Sequence, residues 1–87
     1  MIYVYLLESV HDRNQRYVGI TADLKKRLAD HNAGRSPHTS KHKPWGLVAY
    51  TAFADETTAA AFERYLKSGS GGAFLQRHFF HNSAASA

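Results

Sequence analysis

Apolar residues run almost without interruption from Ile2 to Leu7, and they are β-branched, aromatic or leucine. The composition predicts a strand over Ile2–Glu8, and the lack of alternation predicts that both its faces are covered. His11 to Gln15 is polar turn material. Arg16–Ile20 then predicts a second strand, closing an antiparallel hairpin. From Leu24 the spacing becomes helical. Leu24 and Leu28 mark the buried side, Thr21 is the expected N-cap, and Asp23 sits where the helix dipole favours negative charge. This helix runs to about Asn32, with Gly34 placed to terminate it. Arg35 to Pro44 is polar, basic and broken by Pro37 and Pro44, which predicts an exposed loop. Trp45–Phe53 predicts a third strand with Leu47 and Val48 at its centre. Asp55 caps a second helix, Glu56 to about Lys67, with Ala59, Phe62 and Leu66 on one face. Ser68-Gly69-Ser70-Gly71-Gly72 is expected to end it. A short last helix, Ala73 to about Phe80, packs Phe74 and Leu75. Residues 81–87 are small and polar and read as a flexible C-terminal tail.

The order β-β-α-β-α-α predicts an α+β fold, a small α/β sandwich. A three-stranded, mainly antiparallel sheet is flanked by helices in one domain over residues 1–80. The chain has 87 residues, too few for a doubly wound nucleotide-binding fold. The glycines at 69, 71 and 72 follow a helix rather than a strand, so they make no phosphate-binding loop.

Composition narrows the chemistry. There is no cysteine, which excludes disulfides, thiolate metal sites and cysteine nucleophiles. A reducing cytosol suits such a chain, and a cytoplasmic location is expected. No apolar run approaches the roughly 20 residues that span a bilayer, and the N-terminus does not read as a signal peptide. Lysine and arginine number 11 against 7 acids, a net charge of +4. The excess is local. Between residues 25 and 43, Lys25, Lys26, Arg27, Arg35, Lys41 and Lys43 stand against Asp30 alone. Such a segment favours a polyanionic partner.

Several polar residues converge on the expected fold. Tyr5 and Tyr17 lie on paired strands and can face the same way. Asp23, Arg27 and His31 repeat at i, i+4, i+8 and share one helix stripe, beside the buried stripe of Leu24 and Leu28. Glu63 follows Phe62 at the edge of a buried face. Singly, each has an ordinary structural explanation: core tyrosines, a solvated arginine, a Glu63–Lys67 helix pair. His38 and His42 share i, i+4 spacing but lie in a proline-broken loop without acidic or cysteine partners, which argues against a zinc site.

Taken together, Tyr3-Val4-Tyr5, Tyr17-Val18-Gly19, Arg27, His31 and Glu63 resemble the GIY-YIG nuclease family. The resemblance extends to the small stand-alone bacterial members and covers Ile2 to about Phe79. Tyr17-Val18-Gly19-Ile20-Thr21, Leu24-Lys25-Lys26-Arg27-Leu28 and His31-Asn32 are its most specific part. Tyr3 stands where the first triplet of the family name has glycine, and valine replaces isoleucine in both triplets, a small change in volume. No asparagine is assigned to the site: Ser68 and Ser70 occupy the region where some relatives carry one, and Asn82 lies in the tail.

The resemblance implies a divalent-metal-dependent endonuclease, similar to an excinuclease nuclease domain, that hydrolyses DNA phosphodiesters in repair or processing. Glu63 is the implied metal ligand, for Mg2+ or Mn2+. A lone carboxylate suffices when phosphate oxygens and waters complete the octahedron. Arg27 offers a fixed charge and a planar fork to the phosphate. Either Tyr5 or Tyr17 takes the water's proton, its pKa lowered by Arg27 and the metal, and His31 is the competing base. Lys25, Lys26, Arg35, Lys41 and Lys43 are the expected phosphate contacts. Two alternatives stand beside this reading. One is a catalytically silent nucleic-acid-binding module on the same fold, and the other a metal or structural protein using the histidines. DNA versus RNA, substrate shape and oligomeric state stay open.

Overall fold

A computed structural model of the chain describes residues 1–80. The expected tail, with Asn82, lies outside the described residues. The elements are β1 (Ile2–Ser9), β2 (Arg16–Thr21), α1 (Leu24–Asn32), a 3-10 turn (Ser40–His42), β3 (Trp45–Phe53), α2 (Glu56–Leu66) and α3 (Gly69–His78). The sheet order is β2-β1-β3, and both pairings are antiparallel. The expected α+β fold is therefore the observed one.

β1 is the central strand, which is why its apolar run does not alternate. Val4 and Leu6 point to one face and pack with Ala59, Leu66, Leu75 and Phe80 of the α2/α3 layer. Tyr5 and Leu7 point to the other and pack with Trp45, Tyr17, Leu24 and Leu28 under α1. Two thin cores thus share one strand. Arg16 ties β2 to the end of the described chain: it donates to the Phe80 carbonyl at 2.9 Å and stacks over the Phe80 ring at 4.7 Å.

Three local expectations are corrected. Asp23, not Thr21, caps α1, its carboxylate accepting from the Lys26 N–H; Thr21 ends β2 and its hydroxyl accepts from the Asp23 N–H. Gly34 does take the left-handed conformation, with φ 79°, just beyond the end of α1. The segment 35–44 is not simply an exposed loop, because Ser36 and Thr39 within it are buried. The serine–glycine run does not separate α2 from a later helix. Ser68 caps α3 by accepting from the Gly71 N–H, and the glycines form the first turn. Gly71 presses on α2 so closely that a Cβ there would collide with the Tyr65 carbonyl. Small residues here serve close helix packing rather than a chain break. Leu47 and Val48 lie on an edge strand and are partly exposed, as is Phe74.

Candidate active site

The site forms on the α1 face of the sheet. Leu7 pairs with Tyr17 and Tyr5 with Gly19, so the two tyrosines are diagonal neighbours on one face. Their ring centroids are 6.2 Å apart. Gly19 is what lets Tyr5 lie flat across β2. A Cβ at that position would collide with the hydroxyl end of the Tyr5 ring.

From above, α1 supplies Arg27 and His31. His31 is fully buried, at 0% exposure, and Tyr5 is 1% exposed. The Tyr5 hydroxyl lies 2.8 Å from His31 Nε2, and Thr39 Oγ1 lies 2.6 Å from His31 Nδ1. The His31 ring also meets Tyr17 edge-on at 5.0 Å. Asp23, the third member of the helix stripe, is spent on the cap and takes no part.

The electrostatics follow from burial and from Arg27. Burial pushes the Tyr5 hydroxyl above the ordinary tyrosine range; Arg27 pulls it back, but the neighbouring Tyr17 and Glu63 push the same way as burial, and the net shift is upward. The expected lowering by Arg27 is thus outweighed in the protein alone. Contact with the Tyr5 hydroxyl, against some desolvation, raises Arg27 further above its usual value, with Tyr17 adding to it. His31 is pushed down, chiefly by burial and then by the Arg27 charge, with Asp30 opposing. At neutral pH this leaves a neutral imidazole, a protonated Tyr5 and a charged Arg27.

Glu63 projects from α2, on the opposite layer. Its side chain is 18% exposed and pairs with Lys67 Nζ at 2.8 Å. Its charge is nevertheless felt at Tyr5. Among the described residues no three or more of His, Cys, Asp and Glu cluster into a ready-made metal cage. His42 instead meets Trp45 edge-on, and its carbonyl accepts from Ser9.

The basic residues are divided. Lys26 and Arg35 both pair with Asp30, at 3.3 and 2.9 Å, and are themselves largely exposed. Such surface pairs are weak and exchange readily for other anions. Lys25, Lys41 and Lys43 are exposed, and among the described residues none pairs with a carboxylate. Lys25 rims an open groove of about 500 Å³ between α1 and β3, with Tyr3, Leu24, Leu28, Leu47 and Tyr50. That hollow contains none of Tyr5, Tyr17, Arg27, His31 or Glu63.

Thr39 escaped the sequence reading. It lies in a polar segment whose composition signals exposure, and nothing local marks it as buried. Residues just outside that segment anchor it: Trp45 Nε1 donates to the Thr39 carbonyl at 2.8 Å, and Asn32 Nδ2 donates to the Trp45 carbonyl at 3.2 Å.

The family model of the GIY-YIG catalytic domain matches residues 1–72. The chain belongs to the GIY-YIG family. A UPF0213 protein of Streptococcus pyogenes serotype M3 is 39% identical over 66 residues, 75% of this chain and 70% of the relative. Another, from serotype M5, is 38% identical over the same length. The solution NMR structure of the UPF0213 protein BH0048 from Bacillus halodurans matches with a TM-score of 0.51 and 32% identity. That match covers 86% of this chain and 82% of the other. The tyrosine triplets, Arg27, His31 and Glu63 all fall inside the span matched by the GIY-YIG family model. Among the described residues, no helix is long and apolar enough to cross a membrane.

Proposed function

We propose that this GIY-YIG protein is a divalent-metal-dependent endonuclease acting on DNA in repair or processing. The observation that carries the reading is a cluster drawn from three elements: the Tyr5 hydroxyl of β1 lies 2.8 Å from His31 Nε2 of α1, and the Tyr17 ring of β2 lies beside both. A binding surface has no use for a buried phenol hydrogen-bonded to a buried imidazole on the helix that carries Arg27.

Glu63 suits a hard cation such as Mg2+ or Mn2+, because it is a partly buried, oxygen-only donor. As a single carboxylate it would hold the ion weakly until a substrate phosphate completes the shell, with Lys67 released to solvent or to the phosphate. When bound, the ion supplies Lewis acidity at the phosphate and lowers the pKa of a water.

The protein's own groups do the rest. Arg27 forks onto non-bridging phosphate oxygens and meets the charge that grows as the water oxygen bonds to phosphorus. The bond from phosphorus to the leaving oxygen then breaks, and that oxygen takes a proton from solvent water. The water's proton goes to a tyrosine oxygen. Tyr17 is the better placed of the two, being half-exposed where Tyr5 is buried. Tyr5, held protonated by burial, donates to the phosphate or the water. His31 has no solvent-facing nitrogen and acts through Tyr5. Lys25, Lys26, Arg35, Lys41 and Lys43 carry the flanking phosphates.

The Glu63–Lys67 ion pair favours a second reading, a binding module whose carboxylate stays neutralised. End-labelled branched, nicked, single-stranded and duplex DNA, with matched RNA, distinguishes the two. Cleavage with Mg2+ or Mn2+ and none with EDTA is expected. Tight binding with no cleavage of any substrate in either metal supports the silent module instead.

A further inference from the structure

We propose that Thr39 is a positioning residue: its hydroxyl donates to His31 Nδ1 and so fixes the imidazole proton on Nε2, aimed at the Tyr5 oxygen. The inference rests on the geometry of three buried side chains. It rests on the nuclease reading only for its catalytic consequence.

A neutral imidazole carries one donor and one acceptor, so the two hydrogen bonds of His31 must run in a single direction. Either Thr39 donates to His31 and His31 to Tyr5, or the chain runs the other way. Thr39 decides it. The residue is 1% exposed, and among the described residues the His31 ring is the one partner of its hydroxyl. In the reverse direction Nδ1–H would donate to Thr39, whose own hydrogen would then be buried with no acceptor. Buried donors are rarely left so. The Tyr5 hydroxyl, though equally buried, has the Tyr17 phenol beside it on the same face, ring centroids 6.2 Å apart, as an oxygen toward which its hydrogen can turn. Nor can the threonine swing away. Its N–H donates to the Ser36 carbonyl at 3.1 Å, and its carbonyl accepts from Trp45 Nε1 at 2.8 Å.

With the proton on Nε2, His31 donates to a lone pair of the Tyr5 oxygen. The Tyr5 hydrogen is thereby turned outward, toward the reacting groups. Without Thr39 the ring can take the other tautomer, accept from Tyr5 and withdraw that hydrogen from the site.

The test is long-range ¹H–¹⁵N correlation on the whole ¹⁵N-labelled chain near pH 7.5, with the His31 signals identified by their loss in His31→Gln. Wild type and Thr39→Ser should show the Nε2-protonated pattern. Thr39→Val keeps the side-chain shape, loses the hydroxyl and should show a mixed or Nδ1-protonated ring. An Nδ1 proton in the wild type, which needs no variant to fold, overturns the proposal; so does an unchanged pattern in Thr39→Val. Cleavage by Thr39→Val should fall by about tenfold to a hundredfold, the usual scale for a residue that orients another, and Thr39→Ser should restore it. In a Tyr5→Phe background Thr39→Val should add nothing, and an equal further loss there refutes action through Tyr5. A wild type that does not cleave overturns the nuclease reading while leaving the tautomer result intact.

Discussion

The hydroxyl end of Tyr5 occupies the space where Gly19 would carry a side chain. A residue of the second tyrosine triplet thus exists to seat a residue of the first. Because the strands pair Tyr5 directly with Gly19, any larger residue at 19 must displace the ring from His31 Nε2. Gly19→Ala should therefore cost about 1–3 kcal/mol, as overpacking does, measured by urea denaturation. Cleavage should fall by much more than that stability loss explains, since the surviving folded molecules hold Tyr5 wrongly. A stable, fully active Gly19→Ala would show that the seating is irrelevant.

Tyr17→Phe and Tyr5→Phe separate the two phenols. Each keeps its packing and loses only a hydroxyl. Tyr17→Phe should lower the rate at saturating substrate by about 10²–10⁴, the loss expected for a proton-transfer group. Tyr5→Phe should also impair cleavage. If both variants lose less than about tenfold while His31→Ala is dead, the tyrosines are structural and the base is His31.

His31 gives the fold a dependence on acidity. Its folded pKa lies below the usual histidine value, mainly through burial, so between those two values the unfolded chain binds the extra proton. Stability from this group is full above about pH 6.5, the ordinary histidine pKa, and is lost as pH falls toward the lower folded value. Urea midpoints from pH 8 to pH 5 should decline for the wild type and more gently for His31→Gln. Parallel declines would mean that other groups dominate.

Most of the frame was legible along the chain, and the failures share a cause. β1 could be read as doubly buried because its apolar run is a local property. Diagonal placement of Tyr5 and Tyr17 followed from a hairpin whose turn is local too. Thr39 and Ser36 were hidden because a buried polar residue in a proline-broken segment looks like any polar loop residue. The glycines of α3 were misread because close packing on Tyr65 demands the same residues as a chain break. The upward shift of the Tyr5 hydroxyl was not legible because Arg27 was visible as a neighbour while the depth of Tyr5 was not.

The basic surface is tested by salt. Lys41 and Lys43 are exposed, with no carboxylate partner among the described residues. Replacing both with alanine should flatten the dependence of DNA affinity on salt by about two contacts, a change in the log–log slope of roughly 1.4–1.8. Sequence preference should not move. An unchanged slope would make the segment an ordinary solvated surface.

Glu63→Gln probes the central claim most directly. The substitution keeps the size and the helix but removes the charge offered to the cation and felt at Tyr5. Cleavage in Mg2+ should fall below detection while the thermal midpoint and DNA affinity in EDTA stay close to those of the wild type. Cleavage by Glu63→Gln at the wild-type rate, still dependent on Mg2+, would contradict the assignment of Glu63 as metal ligand and the reaction built around it.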